Sequence, residues 1–159
     1  MLLSISVDQR VLGYLGRALS LELTAVQQYS TQAQLLGAWG LAEAAERFRT
    51  ESDEELKHVQ RVISRMLALN TAPSASQLRP VTLGNSLLEL LQHNFTFENE
   101  LVQLYADASR YCAGKADHDN RLFFEELLSE ERAHAAELAG WIEQLKSSSQ
   151  QTHSHRATF

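Results

Sequence analysis

Apolar residues recur along this chain in steps of three and four, the spacing of one buried face on a helix. Val11, Leu15, Ala18, Leu19, Val26, Tyr29, Ala33 and Leu36 form the first such stripe. Asp8 precedes it as a good N-cap residue, so the first helix is expected to begin there. Gly37-Ala38-Trp39-Gly40 reads as a tight turn, because glycine tolerates the left-handed conformation that ends helices. A second helix is predicted over Leu41–Leu69, with Phe48, Ser52, Val59, Val62 and Met66 facing inward. The pattern stops between Asn70 and Thr82, which holds Pro73, Pro80 and small polar residues. A third helix is predicted over Leu83–Cys112 (stripe Leu87, Leu91, Phe95, Val102, Tyr105, Ser109). After a connection at Ala113–His118, a fourth is predicted over Asp119–Lys146 (stripe Phe124, Leu128, Ala135, Leu138, Ile142, Leu145). Ser147–Phe159 is polar and is expected to be a tail that is mobile unless docked, leaving residues 1–146 as one helical domain.

Charged residues interrupt these apolar stripes at regular places. Glu22, Glu55, Glu98 and Glu131 each sit in the middle of one, and His58 and His134 flank two of them. Glu55 with His58, and Glu131 with His134, are i, i+3 pairs that share a helix face. The second pair repeats the first 76 residues later, and Glu98 repeats Glu22 at the same distance. The echo extends to Val26, Gln27 and Tyr29, which recur as Val102, Gln103 and Tyr105, and to Phe48, which recurs as Phe124. In an antiparallel pair, residues are level when the turn lies midway between them. The midpoint of Glu22 and Glu55 falls in the glycine turn, and that of Glu98 and Glu131 falls between Gly114 and Lys115.

The 13 residues from Asn70 to Thr82 span up to roughly 43–47 Å when extended, and a helix of about 28 residues is roughly 42 Å long. The connection can therefore travel the length of the bundle. The expectation is an all-α four-helix bundle with a long crossover between helices two and three, its inward stripes meeting at the middle.

Four ionised carboxylates in an apolar core are costly unless paired. Two divalent cations would neutralise them, with two neutral imidazoles as further ligands. Mixed oxygen and nitrogen ligation suits iron or manganese, and zinc also binds such sites. Tyr29 and Tyr105 lie seven residues beyond Glu22 and Glu98. Two readings are open for them: core tyrosines with bonded hydroxyls, or, for Tyr29, a hydrogen-bond donor or one-electron source beside the metals. His153 and His155 read as part of an uninvolved tail, and His93 and His118 as surface residues.

Composition narrows the function further. The net charge is −6, which gives no sign of the basic patch that nucleic-acid binding usually requires. The one cysteine, Cys112, excludes an internal disulfide framework and fits a reducing compartment. Residues 1–8 carry neither a basic n-region nor a long apolar h-region, and no apolar run approaches a membrane span, so a cytoplasmic protein without membrane contact is expected.

The segments Leu21–Tyr29, Glu51–His58 and Glu130–His134 resemble the motifs of the bacterioferritins, and the similarity covers nearly the whole chain to about Lys146. The resemblance implies a ferritin-like bundle with a di-iron ferroxidase centre that oxidises Fe(II) with dioxygen or peroxide. It implies self-assembly into a hollow 24-subunit cage that stores ferric mineral. On that resemblance Glu55 and Glu131 match bridging carboxylates, Glu22 and Glu98 terminal carboxylates, and His58 and His134 terminal imidazoles; Tyr29 matches the family's tyrosine near the site. Three positions depart from the pattern. Leu56 stands where haem-binding members have a methionine, and Thr50 where some members have a histidine for an inner-surface iron. The tail lacks the apolar residues of the family's short fifth helix. Haem is therefore not expected in the homo-oligomer, and co-assembly with haem-binding subunits is left open. The rivals are another di-iron or di-manganese enzyme, such as a rubrerythrin-type peroxidase or a manganese catalase, and a non-catalytic metal-binding shell subunit. A single cysteine cannot supply the rubredoxin module that rubrerythrins usually carry.

Overall fold

The computed structural model describes the backbone of residues 6–156 and the side chains of residues 6–149. Among them are four α-helices and no strand: α1 (Gln9–Ala38), α2 (Ala42–Ala68), α3 (Leu87–Gly114) and α4 (His118–Arg156). No helix among the described residues is long and apolar enough to cross a membrane.

The helix ends follow local chemistry. Asp8 caps α1, its Oδ1 accepting from the amides of Arg10 and Val11 at 2.8 and 3.3 Å. The α1–α2 turn closes at Gly40, whose φ of 78° is one that a side chain would disfavour. There the amide of Leu41 reaches back to the carbonyl of Leu36. α3 starts at Leu87, four residues later than the sequence pattern predicts. Ser86 is the reason: its hydroxyl accepts from the amide of Glu89, whose carboxylate in turn accepts from the amide of Asn85. This reciprocal cap fixes the start of the helix and leaves Leu83 in the connection. Gly84 passes so close beneath Glu89 that a Cβ there would meet it at 3.0 Å.

At the other end, α4 runs ten residues past Lys146, through the stretch expected to be a tail. Residues 147–156 contain neither glycine nor proline, so nothing in them breaks a helix already under way. The side chains of His153 and His155 lie outside those described.

The hairpins α1–α2 and α3–α4 dock so that α1 opposes α3 and α2 opposes α4, each pair antiparallel. Contacts between Tyr29 and Glu98, and between Tyr105 and Glu22, fix the first register. Contacts between Arg65 and Asn120, and between His134 and Glu55, fix the second. The core holds the predicted stripes, with Leu15, Phe48, Val62, Leu91, Tyr105 and Phe124 fully buried.

The crossover travels the length of the bundle along α1. Its backbone is held by polar residues spaced one turn apart on that helix. Ser20 accepts from the amide of Gln77, Thr24 from that of Arg79 and Gln28 from that of Thr82, while Gln32 donates to the carbonyl of Thr82. Asn94 of α3 joins the last two, accepting from Gln28 at 2.8 Å and donating to Gln32 at 2.7 Å. This ladder was not read from the sequence. Its signal is a polar residue at every fourth position from 20 to 32.

Candidate metal centre

Each helix brings one buried glutamate to the middle of the bundle. Glu22, Glu55, Glu98 and Glu131 are all fully buried, and His58 is 2% exposed. His134 is less enclosed, at 15%. The six residues picked out by the repeat thus converge, and they do so as two overlapping quartets. Glu22, Glu55, His58 and Glu131 form one; Glu55, Glu98, Glu131 and His134 form the other. In each quartet the candidate ligand atoms lie within 4.8 Å of one another. Glu55 and Glu131 belong to both, so they stand between the two positions.

The polar atoms at the centre face one another without hydrogen bonds. Six buried atoms have no such partner: Glu22 Oε2, Glu55 Oε2, Glu98 Oε2, both oxygens of Glu131, and His58 Nδ1. His58 Nδ1 is 2.7 Å from Glu131 Oε1 and 3.3 Å from Glu55 Oε2, close in distance but out of hydrogen-bonding alignment. Buried polar groups are normally satisfied, and such a set of inward lone pairs is what a pair of divalent cations would occupy. The donors present therefore fit a dinuclear site.

The outer atoms of the same side chains are bonded, and these bonds aim them. Tyr29 donates to Glu98 Oε1 at 2.6 Å, and Tyr105 donates to Glu22 Oε1. Each tyrosine thus serves the glutamate of the opposite hairpin. Both tyrosines are core residues with bonded hydroxyls, and because the bond of Tyr29 runs to a cluster carboxylate, it is also the hydrogen-bond donor of the second reading. His58 Nε2–H donates to Glu130 Oε2 at 2.9 Å, which leaves Nδ1 to face the centre. Arg61 grips Glu130 with contacts of 2.7 and 2.8 Å. Glu130 and Arg61 escaped the sequence reading; the available signal was an acidic residue directly before Glu131 and a cation three residues beyond His58. His134 Nδ1 donates to Glu55 Oε1 at 3.0 Å.

Charge in the metal-free cluster is balanced by protons. Burial, reinforced by the charge of Glu131, pushes Glu22 well above the usual carboxylate range. Burial and the charge of Glu55 do the same to Glu98. Burial opposes the charge of Glu131 too, but the close approach of the His134 and His58 imidazoles outweighs it and brings that group down to about 2. Glu55 is likewise lowered against burial and the charge of Glu131, by the bond from His134 and the nearby His58. Burial acts against both imidazolium ions. Glu131 and Glu55 nevertheless raise His134 to about 11, and Glu131, Glu22 and Glu55 raise His58 further still. Burial thus favours the protonated form of Glu22 and Glu98, while the neighbouring glutamates favour protonated His58 and His134.

The other positions named from the sequence lie apart. His93, His118 and Thr50 are exposed on the helix surfaces, and Met66 is buried in the core. Leu56 is 42% exposed and points away from the cluster's buried centre.

The Ferritin family, described as a ferritin-like domain, matches residues 12–148. Bacterioferritin from Rhodobacter capsulatus is 36% identical over 127 residues, covering 80% of this chain and 79% of that protein. Bacterioferritin from Mycolicibacterium paratuberculosis is 31% identical, with 80% of each chain covered. A solved structure of the Rhodobacter capsulatus protein superposes with a TM-score of 0.85 at 34% identity, over 90% of this chain and 89% of that one. That structure is described as having a metal-free dinuclear site and haem iron in a crystallographic special position.

Proposed function

Since the chain belongs to the bacterioferritins within the ferritin-like family, we propose that it is a ferroxidase and iron-storage subunit acting on two Fe(II) ions per chain. The observation that carries this reading is the pair of quartets sharing Glu55 and Glu131, with their unbonded atoms turned inward. Fe(II) is the substrate, and its chemistry is the transfer of electrons to dioxygen or peroxide. The protein's part is to bind, orient and neutralise. Glu22 and His58 hold one ion, Glu98 and His134 the other, and Glu55 and Glu131 bridge them. Tyr29 and Tyr105 fix the terminal carboxylates by donating to their outer oxygens, which leaves the inner ones for the ions. Uptake of the cations expels protons from the imidazolium ions and from Glu22 and Glu98, so binding and proton release are coupled. Burial of the four glutamates and His58 keeps water from competing for the ions.

The ferric product is stored inside a cage built by self-association, for which the family's 24-subunit architecture is the proposal, in the cytoplasm. Haem is not part of this chain's own equipment. Iron held by two thioethers needs a methionine sulfur from each of two facing subunits, and Leu56 offers similar bulk without a donor atom. Leu56→Met should confer haem binding if the facing pocket is intact; a stoichiometric haem band with two sulfur ligands in the unaltered homo-oligomer would refute that part.

Rapid mixing of metal-free protein with Fe(II) and dioxygen tests the central reading. Glu22→Ala or His134→Ala should remove the fast phase of oxidation while size-exclusion chromatography still shows the assembled cage. Fast kinetics unchanged in either variant would reject the assignment. Manganese-dependent peroxide disproportionation without iron oxidation would favour a catalase instead.

A further inference from the structure

A cleft of about 1130 Å³ lies where the crossover passes over α1 and α3, and none of the six candidate metal ligands lines it. Its walls are the N-terminal half of α1, the C-terminal half of α3 and residues 71–80 of the crossover. The space opens there because the rungs to α1 begin only at Gln77. Before that residue the crossover is tied to the helices only at its start, where the amide of Thr71 reaches the carbonyl of Met66. The floor is apolar, with Tyr14, Leu19, Met66 and Leu104 all buried. On α1, Arg10, Gly13, Arg17 and Ser20 follow one another in steps of three and four, and all four line the cleft. Glycine weakens a helix interior, yet Gly13 sits there between the two arginines, and a Cβ built on it would meet nothing within 4 Å.

Charge decides what this space suits. The chain carries −6 overall, but Arg10 and Arg17 have no carboxylate partner among the described residues. The acidic residues of the walls are already engaged, Glu100 with Arg79 at 2.8 Å and Asp107 with Arg110 at 3.1 Å. Asp8 uses one oxygen in the α1 cap and accepts from the hydroxyl of Tyr111 with the other. Each of the two guanidinium groups lies over a ring: Arg10 is 4.8 Å from the centre of Tyr111, and Arg17 is 4.9 Å from that of Tyr14. Lys115 adds a third cation, 5.8 Å from the Tyr111 ring. A guanidinium stacked on a ring is held in place with its N–H edge open, and that edge grips phosphate through two parallel bonds.

We propose that this cleft binds an organic phosphate of nucleotide size, with its phosphate chain on Arg10 and Arg17 and its apolar body on the floor. Spacing favours a chain over a lone anion. Positions 10 and 17 are two turns apart, about 10 Å along α1, a distance that a few linked phosphates cover. The volume is ample for the whole molecule, since small-molecule sites occupy roughly 300–1,000 Å³. The site is independent of the ferroxidase reading, because none of its residues is a candidate metal ligand.

Isothermal titration of the metal-free assembled protein, without magnesium, tests this with ATP, inorganic triphosphate and adenosine as probes. ATP should bind saturably, with one molecule per chain, and about ten-fold or more tighter than either fragment. Arg10→Ala and Arg17→Ala should each weaken ATP by about ten-fold, the size of a lost charge-assisted bond. Arg49→Ala removes the same charge outside the cleft and should leave ATP binding unchanged. Gly13→Leu fills the space between the arginines while favouring the helix, so it should abolish ATP binding with circular dichroism and cage size intact. Absence of saturable ATP binding at millimolar concentration overturns the proposal. An equal loss in Arg49→Ala also overturns it, since the attraction would then be diffuse. Triphosphate binding as tightly as ATP overturns the organic body, and adenosine doing so overturns the role of the arginines. ATP binding that survives Gly13→Leu overturns the location.

Discussion

His58 and His134 hold equivalent places in the repeat, yet their surroundings differ. His58 is sealed in the core, and its outer nitrogen is tied to Glu130, which Arg61 holds in turn. His134 is partly open to solvent, and among the described residues its Nε2 has no protein partner. The cause lies three turns of sequence logic away from the ligands. Glu54 is the repeat counterpart of Glu130, and Glu137 that of Arg61. A glutamate at 137 cannot grip Glu54, and Lys57, whose counterpart is Ala133, draws Glu54 to itself at 2.6 Å. One half of the centre is therefore braced on its outer side, and the other is not. Equivalent ligands do not make equivalent sites when the residues that orient them have diverged.

The most severe way to break the contrast is to remove a group both halves share. Glu131→Ala should abolish fast Fe(II) oxidation outright and eliminate tight binding of both ions, as read by stopped-flow absorbance and by anaerobic titration. Retention of one tight site would show that Glu131 serves only one half.

A smaller effect should separate the halves. Glu130→Gln unties His58 and should weaken one of the two binding steps by about 10–100-fold, the usual range for a group that orients a ligand. Glu54→Gln, at the equivalent place, should leave both steps within error. Calorimetric titration with Zn(II), which avoids redox chemistry, reads each step. Equal losses in the two variants would show that the two halves are braced alike.

Acidity offers a third handle. A histidine raised from 6.5 to about 11, as His134 is, stabilises the fold fully below pH 6.5 and loses that contribution as pH climbs toward 11. His58, Glu22 and Glu98 are raised as well and act with the same sign. Glu131 works in the other direction: its contribution is present above 4.5 and disappears as pH falls toward 2. The metal-free protein should thus melt highest between these limits and lose several degrees on the alkaline side. Added Zn(II) replaces the protons, so the gain in melting temperature should grow as pH rises above 6.5. A metal-induced gain that shrinks over that range would contradict the proton-balanced cluster.

The mildest change would sharpen the comparison by erasing it. Glu137→Arg supplies the grip missing beside Glu54 and should lower the mobility of the His134 ring, seen as narrower imidazole resonances, with at most a few-fold change in metal affinity. Resonances as broad as before would mean that Lys57 keeps Glu54.

The six candidate ligands stand out in the sequence because the 76-residue repeat writes them twice in register. Glu22 and Glu98 stand out only as charges in the middle of apolar stripes, and the two glycine-marked turns place them level with Glu55 and Glu131. Chemistry that crosses between hairpins was harder to read. The bonds from Tyr29 to Glu98 and from Tyr105 to Glu22 depend on how the hairpins dock, which hairpin geometry does not determine. The bracing of His58 was hidden because Glu130 and Glu54 look alike until residues 61 and 137 are compared. The start of α3 was misplaced because Leu83 continues an apolar pattern, whereas a cap at Ser86 decides the matter. The end of α4 was misplaced because a polar composition says little about backbone form when no breaker is present.

The hydroxyl and amide rungs at Ser20, Thr24, Gln28 and Gln32 also act as a ruler. They clamp residues 77–82 of the crossover to α1 one turn at a time, so the length of chain between Gln77 and Thr82 measures out where the second hairpin begins relative to the first. A residue inserted or deleted inside that interval would shift every later rung and displace Glu98 from Tyr29. The same change between Asn70 and Ser76, before the first rung, could bulge outward with the measured interval intact. Tolerance to length variation in this loop should therefore be sharply uneven, with drift confined to its first half.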